Sequence, residues 1–211
     1  MNGAVADGTI LCLGEPLVEF NQVAPGEWRE GFGGDVSNVA VAAARQGGAS
    51  AMATRLGDDG FGRSLMDMWR TEGVGTAAVA LDPDAPTGLY FVRHDAEGHS
   101  FEYRRAGSAA SRMAPETLLR EAIAGAGILH LSGISQAISA SAGAASLAAM
   151  EVAREAGVRV SYDPNLRLAL WPLEEARPAI LDALARADVA LPGLEDARTL
   201  TGLQEPREIV Q

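Results

Sequence analysis

Between Thr9 and Gly202, short apolar runs of strand length alternate with helix-length amphipathic runs. TILCLG (9–14), ASAMATRLG (49–57), VGTAAVAL (74–81), ILHLS (128–132), VRVSY (158–162) and VALP (189–192) read as strands. Residues 36–46, 63–72, 115–124, 142–156, 173–186 and 194–201 read as helices, with glycine stops at 47–48, 73, 157 and 202. Such alternation builds βαβ units, so the prediction is a mostly parallel, doubly wound sheet with helices on both faces. PLVEF (16–20) reads as a continuation of the first strand and APGEWREGFGG (24–34) as turn-rich. One stretch breaks the alternation. TGLYFVRH (87–94) and HSFEYRR (99–105), around DAEG (95–98), read as a β-hairpin. The expected organisation is an α/β core over 1–86 and 106–211 with the hairpin, 87–105, inserted as part of a lid.

Ligands of such sheets bind at the carboxyl ends of the strands. That directs attention to GEP (14–16), SGIS (132–135), DPNLR (163–167) and PGLED (192–196). A lid hinged over this edge would bring Tyr90, Tyr103, Arg104 and Arg105 to the ligand. A solvated or dimer-forming hairpin with surface arginines explains the same residues without a ligand. In DPNLR the spacing puts Asp163, Asn165 and Arg167 on one side of an extended chain. Arg167 suits a carboxylate or a phosphate, although an Asp163–Arg167 salt bridge holding the loop is the structural alternative.

Composition removes several classes of function. The 211 residues carry a net charge of −11, which disfavours nucleic acid and anionic membrane surfaces as partners. All 17 basic residues are arginine, so neither Schiff-base chemistry nor a Walker A loop, which needs Gly-Lys-Ser/Thr, is available. Cys12 is the single cysteine and sits in an apolar run, which points to core packing. The three histidines, 94, 99 and 130, lack metal-ligand spacing. Without an evident signal peptide or membrane span, a cytoplasmic protein is expected.

The stretch GFGGDVSNVAVAAARQGG (31–48) opens a helix from a glycine cluster. Its glycine spacing does not fit G-x-G-x-x-G after a strand. What survives is G-G-x-x-x-N. Gly33 and Gly34 allow close backbone approach, and the helix start with Asn38 can bind hydroxyls or an anion. A plain turn with Asp35 or Ser37 as helix cap is the simpler reading of the loop taken alone.

Taken together, GEPLVEF (14–20), the G-G-x-x-x-N loop, RLGDDGFGRSL (55–65) and the hairpin resemble the PfkB, or ribokinase-like, family of carbohydrate kinases. Within it, TGLYF (87–91), EYRRAGSAAS (102–111), HLSGIS (130–135) and DPNLRLALW (163–171) look most like the kinases of 2-dehydro-3-deoxygluconate, a sugar acid. The resemblance implies the ribokinase-like fold, with a small β lid and a C-terminal part missing. It implies ATP and Mg²⁺ as cofactors, a sugar or sugar acid as substrate, and a homodimer formed through the lid. It assigns Gly33, Gly34, Asn38, Tyr90, Tyr103, Arg105 and Arg167 to the substrate, and Asn165 and Asp196 to the nucleotide phosphates. No residue of this chain is assigned as catalytic base or direct metal ligand.

The family's N-x-x-E is replaced by Gly193 and Asp196. Its G-A-G-D signature, with the catalytic Asp, is absent, so the resemblance implies that the 211-residue chain alone is inactive. Fructokinase or another ribokinase-like sugar kinase is the alternative substrate class. A non-catalytic sugar-binding relic of the fold is the alternative of another kind.

Overall fold

The computed structural model describes residues 8–95 and 98–210. In chain order the first half runs β1 (Ile10–Leu13), β2 (Leu17–Ala24), β3 (Glu27–Gly33), α1 (Asp35–Arg45), β4 (Ser50–Gly57), α2 (Gly60–Thr71), β5 (Gly75–Asp82), β6 (Leu89–Asp95) and β7 (Gly98–Arg104). The second half runs α3 (Arg120–Ala124), β8 (Ile128–Ser132), α4 (Gly133–Ala137), α5 (Ala140–Glu155), β9 (Arg159–Asp163), α6 (Leu173–Arg186), β10 (Val189–Ala190), α7 (Leu194–Thr201) and α8 (Pro206–Ile209).

Six strands form a parallel sheet in the order β10-β9-β8-β1-β4-β5. Its central strands are apolar on both faces, as burial under two helix layers requires. In β1, Leu11 and Leu13 face a core shared with α3, α5 and α6, whereas Cys12 faces Val36 and Ala40 of α1 and Leu65 and Trp69 of α2. Leu65 and Trp69 are four residues apart and so share one face of α2. Trp69 Nε1 donates to Ser37 Oγ at 2.9 Å, which satisfies the indole and joins the two helices. Burial pushes the Cys12 thiol up to about 12, so it is a packing residue and not a nucleophile. The chain leaves β1 toward β4 and β5 on one side and later builds β8, β9 and β10 on the other. The strand order therefore switches direction beside β1, the place where open α/β sheets hold ligands.

The second sheet has four strands, in the order β3-β2-β6-β7. β2 pairs antiparallel with β3 and parallel with β6, and β6 pairs antiparallel with β7. The hairpin expected at 87–105 is therefore half of a larger sheet, and part of its turn, Ala96 and Glu97, lies outside the described residues. Two readings of the sequence are corrected. Residues 16–20 do not continue the first strand, because the chain leaves the core sheet at Gly14–Pro16. Residues 27–33, read as turn, are a strand whose register with β2 (Leu17 with Gly33, Phe20 with Glu30) overrides the weak propensity of its glycines and charges. Only Pro25–Gly26 form the turn.

The helix expected over 115–124 also breaks. Thr117 Oγ1 donates to the Ala114 carbonyl at 2.8 Å and accepts from the Ala114 N–H at 3.0 Å, closing a local turn. What remains is a 3₁₀ turn at Pro115–Thr117 and the short α3. Among the described residues no helix is long and apolar enough to cross a membrane.

Candidate functional site

The core and the second sheet are joined by four crossing segments, at 14–16, 33–34, 86–88 and 105–108. Each is fixed by specific contacts. Gly34 has φ +100°, and a Cβ there would stand 2.5 Å from the Glu15 carbonyl oxygen and 2.8 Å from Pro16 Cα. Only glycine accommodates both the dihedral and the approach. At Gly33 a Cβ would stand 2.5 Å from Tyr90 Oη. Asp59 caps α2 through Gly62 N (2.8 Å) and also accepts from Thr87 N (2.8 Å) and Thr87 Oγ1 (2.9 Å). One carboxylate therefore ties the core helix to the 86–88 crossing.

The crossings enclose a cleft of about 210 Å³ over the switch point. Its lid wall is Tyr90, Phe101, Tyr103 and Arg105; its core wall is Gly34, Asp35, Asn38, Ile134, Asn165 and Arg167, with Glu15 and Leu17 at the junction. The pairing of Tyr90 with Tyr103 across β6 and β7 puts both rings on the cleft face, stacked with centroids 5.6 Å apart. Tyr90 donates its hydroxyl to Glu19 Oε2, and burial followed by this bond pushes the phenol above its ordinary range. On the opposite face Phe20 stacks on Phe91 at 5.4 Å and meets Phe61 edge-on at 5.7 Å, which seats the sheet on α2.

The charges are arranged with opposite signs in contact. Arg105 Nη2 donates to Glu15 Oε2 in an ion pair with side-chain exposures of 14% and 0%. Ser108 Oγ donates to Glu15 Oε1 at 3.1 Å. Burial pushes the Glu15 carboxyl up, Arg105 and Ser108 oppose that shift, and nearby Asp35 adds to it. Arg105 Nε is buried with no hydrogen-bond partner, and so is Asp35 Oδ1. Asp35 Oδ2 accepts from Asn165 Nδ2 at 3.0 Å. Asn165 is held in the left-handed region at φ +36°, with its N–H on Asp163 Oδ1 at 3.0 Å. Burial raises the Asp163 carboxyl, against the pull of that N–H.

Most residues singled out from the sequence meet here. Gly34, Asn38, Tyr90, Tyr103, Arg105, Asn165 and Arg167 line the cleft, and Gly33 lies against Tyr90. Asp196 does not line it; its Oδ2 accepts from Leu166 N at 3.1 Å and so supports the 163–167 loop from behind. The Asp163–Arg167 bridge is not among the ion pairs of the described residues, and Arg167 Nη1 donates to the Leu166 carbonyl at 2.9 Å. Nor does Asp35 or Ser37 cap α1: Gly34 occupies the cap position without a side-chain bond. The sequence reading pointed to GEP (14–16) without giving Glu15 a role, passed over Glu19, and considered Asp35 only as a cap. Glu15 had one usable signal, its place directly after β1 at the carboxyl edge.

This cleft offers two arginines, stacked phenols and carboxylate acceptors, which suits a ligand with both hydroxyls and a negative group. Among the described residues no group of three His, Cys, Asp or Glu side chains is placed to hold a metal ion.

Residues 9–211 match the model of the pfkB family carbohydrate kinases. A 2-dehydro-3-deoxygluconokinase of Thermoproteus tenax is 39% identical over 95% of the chain. Fructokinase-2 of Solanum lycopersicum is also 39% identical, over 96% of the chain. The chain spans 64% of the length of each. The crystal structure of a fructokinase with bound ATP from Xylella fastidiosa superposes with a TM-score of 0.85 at 33% identity, covering 92% of this chain and 61% of that one. The expected ribokinase-like fold is the fold found.

Proposed function

The chain belongs to the pfkB family of carbohydrate kinases, and on that premise we propose that the protein is an ATP- and Mg²⁺-dependent kinase of a sugar acid. The substrate we assign is 2-dehydro-3-deoxygluconate. The residues described here supply the substrate-recognition side of that enzyme. Arg105 and Arg167 receive the carboxylate, while Asn38, the Gly33–Gly34 backbone and Tyr90 receive hydroxyls. Tyr103 stacks over the sugar, and the lid excludes water from the transferring phosphoryl group. Asn165, backed by Asp196 through Leu166, lies toward the phosphates. Catalysis in this chemistry is positioning plus charge stabilisation, and none of these residues is assigned as the base.

The observation that carries the reading is the pair of arginines converging on one small cleft in a chain of net charge −11. The runner-up is a neutral ketose such as fructose. The Arg105–Glu15 ion pair favours it, because that pair offsets one of the two positive charges. Calorimetry on Arg167→Ala separates the two readings. For a sugar acid, losing a charge-assisted hydrogen bond costs about tenfold or more in affinity, with fructose little changed. Equal losses on both ligands would contradict it.

We also assign the protein to the cytoplasm and to a homodimer formed through the lid. The support for the latter is the open edge of β7, the outermost and largely exposed strand of the second sheet. Light scattering that finds only monomer at micromolar concentration would remove it.

A further inference from the structure

Glu15 takes no part in the recognition scheme above, yet it is enclosed by three of the four segments that join core and lid. Its side chain is 0% exposed. Arg105 and Ser108 hold its carboxylate from the 105–108 crossing. A Cβ on Gly88 would stand 3.3 Å from Oε1, and Gly34 packs on its carbonyl.

Arg105 has five N–H donors. Nη2 is spent on Glu15, Nε is buried without a partner, and the guanidinium carbon lies 5.3 Å from the centroid of the Tyr103 ring. A long arginine on a cleft wall has many rotamers to lose when it binds. Two fixed points, Glu15 on one edge and Tyr103 on one face, remove most of them before the ligand arrives.

We propose that Glu15 is a positioning residue: it clamps one edge of Arg105 so that the remaining donors are presented to a ligand carboxylate. The carboxylate preference of the cleft is then set by a residue that never touches the ligand. This inference rests on the sugar-acid reading above and deepens it. Burial pushes the Glu15 carboxyl up, and Arg105 and Ser108 hold it down, in line with the contacts that fix the side chain.

The test is calorimetric titration of wild type, Glu15→Ala and Glu15→Gln with 2-dehydro-3-deoxygluconate, gluconate and fructose. Glu15→Ala is expected to lose about tenfold or more in affinity for the two acids, with fructose within about threefold. Glu15→Gln keeps an oxygen for Arg105 and is expected to stay within about threefold of wild type on all three ligands. Equal weakening of all three by Glu15→Ala would make Glu15 merely structural and overturn the proposal. So would tighter acid binding by Glu15→Gln, which would make Glu15 a competing counter-charge. If Glu15→Ala does not fold, Ser108→Ala, which removes the second hold on Glu15, carries the test. It should lower the acid-to-fructose affinity ratio by about threefold, and an unchanged ratio overturns the proposal. Wild type that binds gluconate but not 2-dehydro-3-deoxygluconate refutes the substrate assignment, and the gluconate titrations then decide the role of Glu15. Wild type that binds neither acid refutes both.

Discussion

Glu15 and Arg105, ninety residues apart in the chain, form a buried ion pair across two crossings between the core and the lid. The pair joins the segment that leaves the core sheet after β1 to the segment that returns after β7. On the proposed reading, its geometry ties substrate recognition to the attachment of the lid.

Removing the cation should therefore cost stability as well as binding. Arg105→Ala leaves a desolvated carboxylate, a change of about 3–5 kcal/mol where such pairs are broken. Burial already raises the Glu15 carboxyl in the folded protein, and Arg105 limits that rise. A carboxyl raised by folding contributes stability fully below its unfolded value, near pH 4.3, and loses it as pH rises through the folded value. The deficit of Arg105→Ala should be small near pH 4 and grow toward neutrality, as read by urea denaturation across pH. A deficit independent of pH would mean that Glu15 does not carry the effect.

The two glycines of the 33–34 crossing should respond unequally. A methyl on Gly33 meets the ring and hydroxyl of the Tyr90 side chain, whereas a methyl on Gly34 meets backbone at 2.5 and 2.8 Å in a left-handed conformation. Gly34→Ala should destabilise by about 2 kcal/mol or more. Gly33→Ala should cost less in stability and act mainly on ligand affinity, by displacing Tyr90. Denaturation midpoints and sugar titrations of both variants check the order.

Asp59 should show the opposite pH dependence to Glu15. Burial alone would raise its carboxyl, but the hydrogen bonds from Thr87, Gly62 and Phe61 together hold it below the ordinary range. A depressed folded value contributes stability above the unfolded pKa, near 3.9, and loses it as pH falls through the folded one. Asp59→Ala should cost about 1–2 kcal/mol at pH 7 as a lost helix cap. The difference from wild type should shrink below about pH 3. A difference that persists in acid would place its origin elsewhere.

How much of this could be read from the sequence follows from where the information lies. The strands of the parallel sheet are continuous apolar runs, and 173–186 and 194–201 match α6 and α7 residue for residue. β3 was hidden because Glu27–Gly33 carries glycine and charge on a two-sided ribbon, and only its register with β2 makes it a strand. The cleft residues were legible because Gly34, Asn38, Asn165 and Arg167 belong to local motifs after a glycine pair or a strand, and Tyr90, Tyr103 and Arg105 to the hairpin. Glu15 and Asp35 were not, because their partners, Arg105 and Asn165, lie 90 and 130 residues away. Such pairings depend on the closed fold, not on local spacing.

The most direct test of the account is a pair of calorimetric titrations on the unmodified protein, with 2-dehydro-3-deoxygluconate and with fructose, in the same buffer near neutral pH. Two arginines converging on the cleft predict that the sugar acid binds about tenfold or more tightly than fructose. Fructose binding as tightly as the acid, or more tightly, would contradict it.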